Sequence, residues 1–126
     1  MKPIAPASIL VLDDDDGFRR FLVRAIEGAG YTVVDTGNGE KAMELLTRQP
    51  PFDLLLADVQ LPTYQPHGIN VGNMALNMRN GPKVIYITGN PDQVPSGFVD
   101  TERTPVLAKP IRVETLLAHV KAQIGI

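Results

Sequence analysis

The sequence feature that most constrains this chain is an apolar run that lies between two acidic residues. The run is Leu54-Leu55-Leu56-Ala57, with Asp53 before it and Asp58 after it. Because polar and apolar positions do not alternate, the run predicts a strand over 53–57 that is buried on both faces, as in a parallel sheet covered by helices. Asp58 is then expected at the carboxyl end of this strand, at the edge of an α/β sheet where ligands bind.

A second apolar run ends in the same way. Residues 8–12 predict a strand, and four aspartates, residues 13–16, follow it directly. If the two strands are neighbours, Asp13, Asp14 and Asp58 share one pocket. Three carboxylates so close together repel one another, so they need a cation or raised pKa values to coexist. The pattern therefore indicates a divalent-metal site that includes Asp58.

The rest of the chain alternates strand and helix patterns. Apolar residues at helical spacing follow the first, second and last predicted strands, with Asp15, Asp16 and Asn38 as candidate helix caps, and the helical pattern after the third strand is weaker. The predicted strands are 8–12, 31–34, 53–57, 83–88 and 106–108. The first three helices start near 15, 38 and 69, a short fourth starts near Pro91 or after Pro95, and the last carries an apolar stripe from Val113 to Ile124. Repeated strand–helix units require right-handed crossovers, so we predict a flavodoxin-like doubly wound α/β fold. Its five-stranded parallel sheet has the order 2-1-3-4-5, with helices on both faces.

Length and composition exclude several classes of function. The chain has 126 residues, enough for one domain, and we expect a flexible lead-in over 1–7 and a single domain over 8–126. The formal net charge of −2 provides no basic field for nucleic acid or anionic lipid. Without cysteine there is no disulfide or thiolate zinc site, which fits a reducing compartment. No apolar stretch is long enough to span a bilayer, so we expect neither a membrane nor a nucleic-acid partner.

Four polar features mark the predicted carboxyl ends of strands. They are Asp13-Asp14 after the first strand, Asp58 after the third, Thr88 at the end of the fourth, and Lys109-Pro110 after the fifth. In residue type, order and spacing, this set resembles the receiver domain of two-component response regulators, and the resemblance covers Ser8 to Ile124.

The resemblance implies a magnesium site built by carboxylates. Asp58 matches the phosphoacceptor, and Asp13 and Asp14 match the acidic pair that holds Mg²⁺, with Asp14 the more direct ligand. The backbone carbonyl of Gln60 matches a further ligand. Carboxylate, carbonyl and water oxygens are the ligands that Mg²⁺ prefers.

The resemblance also implies how the phosphoryl group is received and used. Thr88 matches the hydroxyl that turns toward the phosphoryl oxygens, and Lys109 matches the lysine that contacts them, followed by Pro110 in an often cis peptide bond. The donor would be a histidine kinase or a phosphotransfer protein, the output a protein–protein contact, and the location the cytoplasm. Such a protein is not an enzyme, although slow self-dephosphorylation, tuned by Gln60 and Asn90, is expected.

Three departures from the family pattern concern the face that many receivers use to contact their partner proteins. Val106 occupies the position where Tyr or Phe is usual, so the coupling between an aromatic ring and Thr88 is absent or altered. The loop over 62–68 is about two residues longer than the family's Pro-x-x-x-Gly segment. The fourth helix, within 90–104, contains Pro91 and Pro95 and is expected to be short.

Three alternatives stay open at this point. Asp14-Asp15-Asp16-Gly17 is similar to the motif of haloacid-dehalogenase-like phosphatases, in which Asp14 would be the nucleophile. The segment 37–42, with Gly37, Gly39 and Ala42, follows the pattern of a dinucleotide-binding turn. A pseudo-receiver would keep the fold for docking and lack phosphorylation. The late acidic pair of the phosphatases is missing, and the intact acidic set argues against a pseudo-receiver.

Overall fold

The computed structural model describes residues 6–60, 68–90 and 104–125. Its parallel sheet has the predicted order β2-β1-β3-β4-β5. The strands are β1 (Ser8–Leu12), β2 (Thr32–Thr36), β3 (Leu54–Asp58), β4 (Lys83–Thr88) and β5 (Val106–Ala108). Strand β1 pairs with β3 from Ile9↔Leu54 to Leu12↔Ala57. The acidic residues after β1 therefore lie beside the last residue of β3.

Four helices lie in the described part of the chain, and the first two start after the predicted caps. They are α1 (Asp16–Gly28), α2 (Gly39–Leu46), α3 (Gly68–Asn77) and α4 (Val113–Ile124). The Asp15 side chain accepts a hydrogen bond from Phe18 N at 3.0 Å, and the Asn38 side chain accepts one from Lys41 N at 3.0 Å. These bonds satisfy backbone donors that a helix start leaves unpaired. No described helix combines the length and apolar character needed to cross a bilayer.

Several predicted boundaries were wrong by a few residues. Strand β2 runs to Thr36 because it pairs with β1 along its whole length, as far as Leu12↔Thr36. Asp53 precedes β3, and its side chain instead accepts a hydrogen bond from Ser8 N at 2.8 Å. Val113, the first residue of α4, is 37% exposed, so the predicted apolar stripe is not buried at its start. The predicted fourth helix and the 62–68 loop, except Gly68, Asn90 and Thr104, lie outside the described residues.

The sheet separates two apolar cores, one on each face. Residues at alternate positions of β1, β3 and β4 point to opposite faces, and every residue of β3 is buried. One core packs the sheet against α2 and α3, and the other packs it against α1 and α4. Burial on both faces explains why the Leu54–Ala57 run shows no alternation of polar residues.

A close contact between α3 and β4 explains a glycine inside a helix. Gly72 is buried in α3, and a Cβ atom at this position would overlap the hydroxyl and ring of Tyr86 on β4. Tyr86 is itself buried in the same core. The Tyr86 ring thus occupies the space that a side chain at position 72 would need.

We expect Gly72→Ala to destabilise the protein by about 1–3 kcal/mol, even though alanine favours helix by about 1 kcal/mol over glycine. The cause is overpacking against Tyr86. Urea denaturation of Gly72→Ala in the wild-type and Tyr86→Leu backgrounds tests this. The cost of Gly72→Ala should be smaller in the Tyr86→Leu background, and an equal cost in both would contradict the assigned contact.

Candidate functional site

Three carboxylates meet at the carboxyl edge of β1 and β3. One side-chain oxygen from each of Asp13, Asp14 and Asp58 can be chosen so that all three lie within 4.8 Å of one another. Asp13 follows β1 and is 1% exposed, Asp58 ends β3 and is 4% exposed, and Asp14 is exposed to solvent. The predicted juxtaposition of these acids is therefore present, with one open side.

Lys109 supplies the positive charge in this cluster. Its Nζ atom lies 2.9 Å from Asp13 Oδ2 and 3.3 Å from Asp58 Oδ2. The same Nζ lies 4.6 Å from the centroid of the Phe18 ring, within cation–π range. The Lys109–Pro110 peptide bond is cis, as the family resemblance led us to expect. The apolar position of Phe18 in α1 predicts only core packing, so its contact with the site is not evident from the sequence.

The two oxygens of Asp13 have different surroundings. Oδ1 accepts a hydrogen bond from Asp15 N at 2.9 Å. Oδ2 is buried and has no well-oriented hydrogen bond to a described residue; its contact is the ion pair with Lys109. A buried carboxylate oxygen with spare acceptor capacity is suited to a cation. Asp13, Asp14 and Asp58 together offer a hard set of carboxylate oxygens that fits Mg²⁺.

At the ends of β3 and β4, a side-chain oxygen accepts a hydrogen bond from the backbone N–H two residues later and so closes a tight turn. The Asp58 Oδ1 atom accepts a hydrogen bond from Gln60 N at 2.9 Å, and the Thr88 hydroxyl accepts one from Asn90 N at 3.0 Å. The Asn90 Nδ2 atom donates to Gln60 Oε1 at 3.2 Å, joining the β3 and β4 ends. Thr88 is fully buried one position beyond Ile87, which pairs with Asp58. The role of the Gln60 carbonyl as a metal ligand stays a prediction.

Helix α3 begins directly over the backbone of the site. A Cβ atom at Gly68 would overlap the carbonyl of Asp58 and would lie 3.0 Å from the Cα of Val59. Glycine at this position therefore lets the start of α3 approach the end of β3. The close approach explains, in physical terms, why the loop after Asp58 ends in glycine.

Burial dominates the titration of the site. Burial raises the pKa of Asp58, the hydrogen bond from Gln60 N lowers it, the charge of Asp13 raises it and Lys109 lowers it, which together raise the pKa to about 6. Burial would lower the pKa of Lys109, but its contacts with Asp13 and Asp58 outweigh that effect and raise it. The lysine therefore stays protonated, while Asp58 is mostly ionised at neutral pH.

The glycine-containing turn of the dinucleotide alternative has a structural explanation. Gly39 begins α2 behind the Asn38 cap, and a Cβ at Gly37 would lie 2.7 Å from Arg19 Nη1. Both glycines thus serve packing and helix entry, and the turn needs no pyrophosphate to account for it.

The fold and the site define a class: a flavodoxin-like α/β domain with an acidic site at the switch point between β1 and β3. Residues 9–121 match the family described as the response regulator receiver domain. The chain is 37% identical over 120 residues to the response regulator receiver protein CpdR of Brucella abortus, covering 90% of this chain and 92% of that protein. This chain therefore belongs to the receiver domains of two-component response regulators, which are signalling modules.

Solved structures show the same fold. A CheY-like receiver domain from Methanospirillum hungatei superposes with a TM-score of 0.83 at 24% identity, covering 96% of this chain and 95% of that one. The response regulator TrrA from Thermotoga maritima superposes with a TM-score of 0.79 at 22% identity, covering 93% and 98%. Family membership favours the receiver interpretation over the phosphatase alternative.

The raised pKa of Asp58 predicts a pH-dependent stability. The pKa is higher in the folded protein than its ordinary value of 3.8, so the folded state holds the proton more tightly. The free energy of unfolding should therefore fall by up to about 3 kcal/mol as the pH rises from about 4 to about 6. Asp58→Asn removes this penalty, so in chelator at pH 7.5 it should stabilise the protein by about 1–3 kcal/mol.

Urea denaturation in chelator at pH 4 and pH 7.5 measures this effect. Asp58→Asn and wild type should differ at pH 7.5 and converge near pH 4. Glu27→Gln, which neutralises an exposed acid on α1, should show no such difference. A destabilising effect of Asp58→Asn at pH 7.5 would contradict the prediction.

Removing the positive charge of Lys109 should destabilise the protein, the opposite of the effect expected for Asp58→Asn. Lys109→Met leaves Asp13 and Asp58 without their counter-ion, so we expect a loss of about 1–3 kcal/mol at pH 7.5 in chelator, reduced because the lysine side chain is partly exposed. The exposed Lys121→Met on α4 is the matched control. Equal stabilities of the two variants in urea would show that the ion pairs contribute nothing.

Proposed function

We propose that this chain is a phosphoacceptor receiver in which Asp58 takes a phosphoryl group from a phosphohistidine with the help of Mg²⁺. The observation that carries the proposal is the position of the Asp58 carboxylate, where the charges of Asp13, Asp14 and Lys109 converge. The proposed receiver domain covers 8–126.

The proposed transfer forms one bond and breaks another. A carboxylate oxygen of Asp58 forms a bond to phosphorus, and the bond between phosphorus and the histidine nitrogen breaks, so the imidazole leaves with its electron pair. Because the pKa of Asp58 is about 6, most molecules carry the reactive carboxylate at neutral pH. The nucleophile is thus available without a separate base.

The phosphoryl group brings about two negative charges in place of the single charge of the Asp58 carboxylate, beside the carboxylates of Asp13 and Asp14. Lys109 lies 3.3 Å from Asp58 Oδ2 and can pair with a phosphoryl oxygen in its place. The Thr88 hydroxyl, at the end of the neighbouring strand, can donate a further hydrogen bond. When bound by Asp13, Asp14 and Asp58, Mg²⁺ would neutralise charge on the phosphoryl oxygens.

The comparisons support this chemistry. The TrrA structure is described as a complex with Mg²⁺ and beryllium fluoride, and it shares the fold of this chain. CpdR, the relative described above, is likewise named a receiver protein and is of similar length. The same proposal assigns a histidine kinase or phosphotransfer protein as donor, a protein contact as output and the cytoplasm as location. We also propose that the phosphorylated chain slowly hydrolyses its own phosphoryl group.

Acetyl phosphate labelling followed by intact-mass measurement tests the proposal. Wild type with Mg²⁺ should gain the mass of one phosphoryl group, and chelator should prevent the gain. Asp58→Asn should not be labelled, whereas Glu27→Gln, which removes an exposed acid on α1, should label like wild type. Label retained in Asp58→Asn would place the acceptor elsewhere.

A second measurement separates the receiver from a pseudo-receiver. Beryllofluoride with Mg²⁺ should shift the amide signals of Thr88 and Lys109. Unchanged spectra at millimolar ligand would favour a docking module that is not phosphorylated.

A further inference from the structure

The Arg19 guanidinium connects three segments around the acidic site. Its Nη1 atom donates to the carbonyl oxygen of Asp13 at 2.8 Å. Its Nε atom lies 2.9 Å from Asp35 Oδ2, and its Nη2 atom lies 2.8 Å from Asp16 Oδ1. Each of the three guanidinium nitrogens therefore has its own oxygen partner, and the Arg19 side chain is only 18% exposed.

The three partners belong to different elements. Asp13 directly follows β1, Asp35 lies near the end of β2, and Asp16 is the first residue of α1. The backbone adds a parallel connection, because Asp13 N donates to Thr36 O at 3.1 Å. Arg19 thus holds both the entrance and the exit of the short acidic segment 13–16, and it anchors that segment to the neighbouring strand.

Glycine provides the room for this arrangement. A Cβ atom at Gly37 would lie 2.7 Å from Arg19 Nη1 and 3.4 Å from the Asp13 carbonyl oxygen. A side chain at position 37 would therefore displace the guanidinium from its hydrogen bond with Asp13. This packing gives the glycine a role that is independent of helix entry.

We propose that Arg19 is a positioning residue for the metal-binding segment, acting through the Asp13 carbonyl; this rests on the proposed function of the acidic site. The hydrogen bonds and ion pairs of Arg19 with described residues go to Asp13, Asp16 and Asp35, not to the Asp58 carboxylate or Lys109. Its effect is to fix the backbone that carries the Asp13 and Asp14 side chains. Four consecutive aspartates repel one another, and without an anchor the segment would open before a cation arrives.

The three contacts at position 19 require the guanidinium of arginine, and a lysine side chain with the same charge would not form them all. A guanidinium is planar and presents several donors in fixed directions, whereas an ammonium is a compact charge on a flexible stem. Lysine at position 19 would keep the charge near Asp16 and Asp35. It would not reach three oxygens in different directions at the same time. The Arg19→Lys variant therefore separates positioning from simple charge compensation.

Mg²⁺ titration followed by NMR tests the proposal in the full chain. The amide shifts of residues 13, 14 and 58 report binding, and urea denaturation in chelator reports stability separately. Arg19→Lys and Gly37→Ala should each weaken Mg²⁺ binding roughly 10-fold or more, the cost typical of losing an outer partner of a metal ligand. Arg20→Lys, an exposed neighbour on α1, should change the affinity less than about twofold.

The outcomes are distinct. Wild-type Mg²⁺ affinity in both Arg19→Lys and Gly37→Ala would overturn the positioning role, even if stability falls, because a merely structural contact would leave the folded molecules' affinity unchanged. Should Gly37→Ala fail to fold, Asp35→Asn loosens the same anchor from outside the site and should also weaken binding. Wild type that binds Mg²⁺ but is not labelled by acetyl phosphate would refute the proposed function alone. Wild type that does not bind Mg²⁺ would overturn both.

Discussion

The parallel pairing of β1 with β3 is the constraint on which the rest of this structure depends. It brings Asp13 and Asp58 to one edge of the sheet against their mutual repulsion. Two like charges at this range repel by about 3–4 kcal/mol at an effective dielectric constant of about 20. Each fully buried Leu, Ile or Val side chain stabilises the fold by about 1.5–3 kcal/mol. A few buried residues of β1 and β3 therefore outweigh the repulsion.

Lys109 does not cancel all of the repulsion between Asp13 and Asp58. Lys109 pairs with both buried carboxylates, yet burial and Asp13 still raise the pKa of Asp58 to about 6. At this edge the fold holds like charges close together although they repel one another, and such locally unfavourable arrangements are typical of functional sites. A bound cation or a proton relieves the conflict, which links metal binding, pH and stability through the same three side chains.

Residues outside the carboxylate cluster set its geometry. Gly68 allows α3 to begin against the Asp58 backbone, and Phe18 covers one side of the Lys109 ammonium. In the role proposed above, Arg19 holds the backbone of the segment that carries the acids. These residues lie on two helices, α1 and α3, so the site depends on how the helices pack at the sheet edge and not on one motif.

The sequence by itself specified most of the described strands and helices and which carboxylates meet at the edge of β1 and β3. Uninterrupted apolar runs specify strands buried on both faces, helical spacing specifies the helices, and Asp15 and Asn38 cap helices within a turn of themselves. Only the tertiary structure decided that Asp53 binds Ser8, that Asn90 contacts Gln60 and that Arg19 reaches Asp35. These partners are 45, 30 and 16 residues apart, and such contacts depend on strand register and helix packing, which local patterns do not encode.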